Sequence, residues 1–161
     1  MERLKECIDW LAAKPDSIFI GQGLFAGTKL SAAFADVPKE RKIEFPVAED
    51  LQLGVSIGLS LEGFVPVSVF PRTNFLLCAM NQLANHLDVI RDYSDYRPKV
   101  IVLTQAGLVT PLNPGPQHVV ADGYWIEDFA KLFRNVHVRE SNGLPTYQAA
   151  YEQEDSTVIV E

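Results

Sequence analysis

Three stretches of this chain carry residue types that can do chemistry. The first is Phe45-Pro46-Val47-Ala48-Glu49-Asp50. An acid placed just after an apolar strand end sits in the first turn of the following helix, where the helix dipole favours its ionised form. Glu49 is therefore a candidate acid–base or hydrogen-bonding group, although acids are also ordinary first-turn residues. The second is Gly21-Gln22-Gly23-Leu24-Phe25-Ala26, which fits the G-x-G-x-x-(G/A) dinucleotide fingerprint. Glu44, 23 residues after Gly21, stands where a ribose-binding acid would. Glycine tolerates positive φ, so such turns also arise for geometric reasons alone. A helix ahead of the first strand is not the usual start of a dinucleotide unit. The third is the loop from Gly107 to His118, rich in Pro and Gly. Long aperiodic loops are often functional, and His118 near its end could donate, accept or shuttle a proton, or simply face solvent.

Other chemistries find little support. His86 and His137 have no partner at metal-ligand spacing, so a zinc site is not expected. Neither a G-x-S-x-G elbow nor a phosphate-binding G-x-x-x-x-G-K-[ST] loop is present. Cys7 and Cys78 form no C-x-x-C pair and lack basic neighbours in sequence, which points to core packing in a reduced, cytoplasmic protein. At 161 residues, with 47% apolar and 22% charged, the chain suits one soluble domain over residues 1–161. Its formal charge of -7, with no basic cluster, disfavours nucleic acid. No apolar run reaches membrane-spanning length, and the charged N-terminus does not read as a signal peptide.

The elements that must position these residues follow from periodicity. Leu4, Cys7, Ile8 and Leu11 mark a helix over Glu2 to Ala13, ended by Pro15. Short apolar strands are expected at 17–20, 42–45, 65–70, 99–104, 136–138 and 157–160. Between them, helices are expected at 28–37, capped by Thr28, and at 49–61, 74–91, 122–133 and 144–151. The 74–91 helix would bury Phe75, Ala79, Leu83 and Leu87. Gly54 and Gly58 suggest close packing of the 49–61 helix against a neighbour. Alternating strands and helices, with a continuous run such as Val100-Ile101-Val102-Leu103, predict a three-layer αβα sandwich around a mostly parallel sheet. Ligands of such folds gather at strand C-termini, here 21–27, 46–49, 70–74, 105–121 and 139–143.

In order, these features resemble the pyrimidine-binding domain of the transketolase superfamily. The nearest likeness is to the N-terminal domain of the beta subunit in the decarboxylating component of 2-oxo acid dehydrogenases. The resemblance runs from about Ile18 to Glu161. It rests on Pro46-Val47-Ala48-Glu49 followed by Gly54, Ile57-Gly58 and Leu59, then Gly63-Phe64-Val65-Pro66-Val67. Asn74-Phe75, Asn81-Gln82, Gln117-His118 and the closing Ser156 to Glu161 continue it.

This resemblance implies the thiamine-diphosphate-binding fold. It also implies that Glu49 hydrogen-bonds N1′ of the cofactor's aminopyrimidine, activating the thiazolium carbon for attack on a carbonyl substrate. The carboxyl would share a proton with a weakly basic nitrogen, which apolar surroundings favour. Leu51, Leu53, Phe70 and Phe75 are candidates for that apolar wall. Phe70, Thr73 and Phe75 match cofactor-side positions, and His118 matches a histidine on the substrate side. Thr73 stands where the family commonly has an aromatic, Val69 where the beta subunit has a glutamate, and Asn81 where it has an acid. A magnesium-binding Gly-Asp-Gly with a downstream Asn is expected elsewhere, since Ala121-Asp122-Gly123 lacks that partner. The implied protein is half of a split thiamine-diphosphate enzyme. A separately encoded diphosphate-binding subunit would supply the magnesium, within a homodimer or heterotetramer. A dinucleotide-binding module and a catalytically idle scaffold are the alternatives.

Overall fold

The computed structural model describes residues 2–26, 30–107, 115 and 123–161. The candidates Gln117 and His118, the cap Thr28 and most of the 105–121 loop lie outside these residues. Helix α1 (Glu2–Ala12) buries Leu4, Cys7, Ile8 and Leu11, the stripe its spacing predicts. Arg41 ties the end of this helix to the sheet by donating to the carbonyls of Ala12, Lys14 and Ser17. Strands β1 (Ser17–Gly21) and β2 (Lys42–Glu44) follow, with one-turn 3-10 helices at Ser31–Phe34 and Lys39–Arg41 between them. Leu30, Ala33, Phe34 and Val37 are buried as expected, though on a 3-10 turn rather than an α-helix.

Helix α2 (Glu49–Leu61) leads into β3 (Val65–Phe70), both with the expected boundaries. Gly63, at φ 90°, makes the turn between them. The sheet continues with β4 (Ile101–Thr104), β5 (His137–Glu140) and β6 (Thr157–Val160). Helices α5 (Gly123–Ala130) and α6 (Leu144–Glu152) precede β5 and β6. All strand pairs are parallel, in the order β2-β1-β3-β4-β6-β5. The α/β fold class is thus as expected. The outer strands are short: β2 has three residues and β5 four. Strand β4 starts two residues later than expected because side-chain hydroxyls take the preceding N–H groups. Lys99 N–H donates to Ser60 Oγ at 2.6 Å, and Val100 N–H to Ser156 Oγ at 3.0 Å.

Each face of the sheet carries its own core. On one face α1, the 31–34 turn and α6 pack over Phe19, Val67, Val69, Leu103 and Ile159. On the other, α2, the 73–93 segment and α5 pack over Phe70, Val102, Val158 and Val160.

The single helix expected over 74–91 is broken. A 3-10 stretch (Thr73–Ala79) passes into α3 (Met80–Gln82), a π turn (Leu83–Leu87) and α4 (Ile90–Tyr93). The buried positions explain the change of winding. Thr73, Leu76 and Ala79 recur every three residues, whereas Leu83 and Leu87 recur every four. Leu76 takes the core place expected of Phe75, which is half-buried. The segment then delivers Asp88, 3% exposed, to the start of β5. Its carboxylate accepts the N–H groups of Arg134 (3.0 Å), Asn135 (2.7 Å) and Val136 (2.9 Å). Asp88→Ala orphans these donors and is expected to cost about 3 kcal/mol, measured as a fall in the urea midpoint with the slope unchanged.

The two cysteines differ, against expectation for one of them. Cys7 is buried, and burial among apolar groups, with Glu161 nearby, pushes its thiol up to about 11. Cys78 is exposed. Limited alkylation of the folded protein is expected to modify Cys78 and spare Cys7, as read by peptide mass analysis.

Candidate functional site

Parallel strands end on one edge of the sheet, and their order fixes where a crevice opens. The chain leaves β1 for β2 on one side, then crosses back through α2 to β3 on the other side of β1. The C-terminal ends of β1 and β3 are thus a topological switch point, the usual place for a ligand in an open α/β sheet. Glu49, the first residue of α2, lies on that crossover. Its side chain is 8% exposed, although the acid opens a helix on the outside of the sheet.

Gln22, the residue after β1, reaches Glu49. Its Nε2 donates to Glu49 Oε1 at 3.2 Å, while Oε2 takes no hydrogen bond from any described residue. Among the described residues the carboxylate is thus held by one neutral donor, at Oε1. The N-terminal end of α2 adds favourable electrostatics for negative charge there. One turn along, Gln52 is fully buried and locks α2 to β3, donating to Ser68 Oγ and to the Val69 carbonyl, both at 3.1 Å. Its Oε1 is buried and has no hydrogen-bond partner among the described residues.

Gly21 brings the two strand ends together. A Cβ there would lie 2.3 Å from the Val69 carbonyl oxygen, so only glycine allows β1 to approach β3 this closely. Sequence reasoning did not assign Gln22 or Gln52 to the site. Gln22 was legible in part, as the residue directly after a strand on the expected edge. Gln52 looked like one polar residue on an apolar helix.

The remaining candidates are placed unevenly. Phe70, expected on the cofactor side, ends β3 and is wholly enclosed in the core with Leu53 and Leu76, so it presents no surface to a ligand. Thr73 is 1% exposed, and both its N–H and Oγ1 donate to the Gln105 carbonyl, at 3.0 and 2.9 Å. It joins the ends of β3 and β4 and leaves no donor for a ligand. Leu51, expected in the apolar wall, points outward and is 59% exposed. Gly54 does pack closely, with Gln82 side-chain atoms 3.5 Å from its would-be Cβ, but Gly58 faces open space. His137 pairs with Asp155 at 3.3 Å at the start of β5, the opposite edge of the sheet. His86 is exposed.

The glycine-rich turn is spoken for by its own chain. The Glu44 carboxylate accepts the N–H groups of Gly23 (2.6 Å), Leu24 (2.8 Å) and Phe25 (3.2 Å). These are the donors that would cradle a pyrophosphate, and the acid expected on the ribose fills the cradle instead. Nor does a long helix follow the turn, where a 3-10 turn stands. Calorimetric titration with NAD⁺ or NADP⁺ is expected to show no binding.

No group of three or more His, Cys, Asp or Glu side chains that could hold a metal ion occurs among the described residues. No described helix is long and apolar enough to cross a membrane.

No protein-family model matches the chain, and no curated protein matches it. Among solved structures it is similar to one described as a split gene transketolase, inactive beta4 tetramer. The TM-score is 0.74 at 18% identity, over 99% of this chain and 49% of the other. The chain therefore spans about half the length of that transketolase chain and shares its fold.

Proposed function

We propose that this chain is the pyrimidine-binding part of a thiamine-diphosphate enzyme, with Glu49 as the group that holds the aminopyrimidine. The observation that carries the reading is the Glu49 carboxylate itself. It is buried at the switch point, held at Oε1 by Gln22, and its Oε2 takes no hydrogen bond from any described residue. A carboxyl so placed can keep a proton between Oε2 and a weakly basic ring nitrogen, and the closed surroundings limit competition from water. When bound, the cofactor supplies an electron sink for making or breaking a bond next to a carbonyl. Gln22 orients the carboxyl, and Gln52 fixes the helix that bears it. The substrate class is a small carbonyl compound such as an oxo acid or ketose. His118 is the proposed acid–base group on its side.

The magnesium diphosphate end needs a second polypeptide in this reading, and the shared fold with a split-gene tetramer supports that division. The assembly is a homodimer or a heterotetramer with a separately encoded, magnesium-bearing subunit, in the cytoplasm. A second reading, a catalytically idle homologue, is favoured by one observation. Thr73, at a position where an aromatic could pack on the pyrimidine, has its polar groups spent on Gln105.

The test is to retrieve the tagged chain with its co-purifying subunit and titrate the assembly with thiamine diphosphate and Mg²⁺. Saturable binding with turnover of an oxo acid or ketose supports the first reading. Binding without turnover, or no binding of the cofactor at all, supports the second and removes the first.

A further inference from the structure

At the edge of the sheet opposite the switch point, where the strands begin, α1, α6 and the approaches to β1 and β4 meet around the ring of Tyr151. Trp10 of α1 packs on that ring edge to face, with centroids 5.6 Å apart. The Tyr151 hydroxyl donates to Asp16 Oδ1 at 2.8 Å, which fixes the ring just ahead of β1. Two amines lie on these rings. Lys14 Nζ is 3.9 Å from the Trp10 centroid and 5.3 Å from that of Tyr151. Lys99 Nζ is 4.8 Å from the Tyr151 centroid. A ring face attracts an ammonium by about 0.5–1 kcal/mol at an exposed site, enough to place the nitrogen, but offers it no oxygen acceptor.

Lys99 differs from lysines elsewhere in the chain. Lys5 bridges Asp9 at 2.6 Å and Asp36 at 2.5 Å, Lys131 meets Asp128 at 2.7 Å, and Lys42 donates to the Phe34 carbonyl at 2.9 Å. Lys99 Nζ has no oxygen in hydrogen-bond or ion-pair range among the described residues, and lies on the ring instead. Its main chain is fixed. The Lys99 N–H donates to Ser60 Oγ at 2.6 Å. Ser156 Oγ donates to the Pro98 carbonyl at 2.8 Å and accepts the Val100 N–H at 3.0 Å. The amine is therefore half-buried in one place, with no counter-charge in contact. Burial holds it below the ordinary lysine range, against the weaker opposing pull of Asp16, Glu152 and Glu154. Hydrogen bonds to Asp36 and Asp128 push Lys5 and Lys131 the other way.

We infer that Lys99 is a modification site whose ε-amine takes an acyl group from an acyl phosphate or an acyl thioester. The site lies at the opposite edge of the sheet from Glu49 and does not rest on the function proposed above. An ordinary lysine is about 0.1% neutral near pH 7.5, and only the neutral amine has a lone pair with which to attack. An environment that disfavours the ammonium raises that fraction. The lone pair of Nζ forms an N–C bond to the acyl carbon. The bond from that carbon to the phosphate oxygen or the thioester sulfur breaks, and its electron pair leaves with phosphate or thiolate. The surplus proton on nitrogen passes to water, and no oxidant or reductant is required. Lys14, on the same pair of rings, presents a positive charge to the anionic donor as it approaches. The product is a neutral amide, which can stay against the ring without burying a charge.

Incubating the folded full chain with acetyl phosphate, and separately with acetyl-coenzyme A, near neutral pH tests this. Peptide mass analysis follows the acetylation of each lysine with time. Lys99 is expected to react roughly three-fold or more faster than exposed Lys39 and than ion-paired Lys5 and Lys131. A preference with one donor alone supports the site and identifies its source as phosphate or thioester. Asp16→Asn removes a charge that favours the ammonium and keeps an acceptor for the Tyr151 hydroxyl. In that variant Lys99 should react roughly two-fold faster still, with Lys39 unchanged. Unfolding the chain in urea should erase the preference. Lys99 reacting no faster than Lys39 with either donor would overturn the proposal. So would a preference that persists in the unfolded chain, or a slower Lys99 in Asp16→Asn.

Discussion

Glu49→Gln is expected to lower kcat of the assembled enzyme by about 10²–10⁴-fold, the range a positioned acid–base group contributes. The substitution keeps shape and removes acidity. A glutamine carbonyl can still accept the Gln22 Nε2–H that now reaches Glu49 Oε1 at 3.2 Å, so the helix start and the crevice should persist. What is lost is the capacity of the outer oxygen to hold a proton against a ring nitrogen. Unfolding midpoints should therefore match the unmodified protein while turnover collapses. The cofactor dissociation constant should rise far less than kcat falls, because most binding energy is expected at the diphosphate end. Equal turnover by Glu49→Gln and the parent would remove the proposed role.

Gly21→Ala is expected to destabilise the fold by about 3 kcal/mol, at the upper end of overpacking costs. The added methyl would sit 2.3 Å from the Val69 carbonyl oxygen and 2.9 Å from its Cβ, both on the central strand. Neither neighbour is the end of a flexible side chain, so relief requires β1 and β3 to part. Parting them also draws Gln22 away from Glu49, so activity should fall beyond what the fraction folded explains. Gly58→Ala is the contrast. Nothing lies within 4 Å of its would-be Cβ, and alanine is preferred over glycine in a helix by about 1 kcal/mol. That variant should be slightly more stable. Urea denaturation of the three proteins at one concentration decides both expectations.

Where local chemistry alone sets structure, the sequence was readable. Helix α2 begins at an acid after Pro46 and ends at a glycine with positive φ, so both its ends were found. Strand β3 is an unbroken buried run before a proline and was found whole. The 74–91 segment failed because its winding answers to the sheet beneath it. Thr73 is pinned to Gln105 and Asp88 to residues 134–136, and the turns between them adapt. A periodicity of 3.6 carries no trace of those two distant anchors. The candidate site divides in the same way. Glu49 was found from the strand–proline–acid–helix order. Gln22 meets it only because β1 and β3 lie side by side, a long-range fact. The Gly-x-Gly turn was recognised as an anion cradle, but that Glu44 fills it depends on the β1–β2 register, in which Gly21 faces Glu44. Phe70 and Phe75 were both read as wall residues; the pleat of β3 turns Phe70 into the core, and the 3-10 winding after it leaves Phe75 half-buried.

The margins of the sheet bear on how such a protein can assemble. Strand β2, Lys42–Glu44, begins and ends on a charge, and β5, His137–Glu140, ends on Arg139 and Glu140. Short, charged border strands resist the addition of a further strand from another chain. Growth by sheet extension, which is open-ended and leads to filaments, is thereby discouraged at both borders. The same short strands that narrow the sheet thus favour finite particles of fixed stoichiometry over fibres.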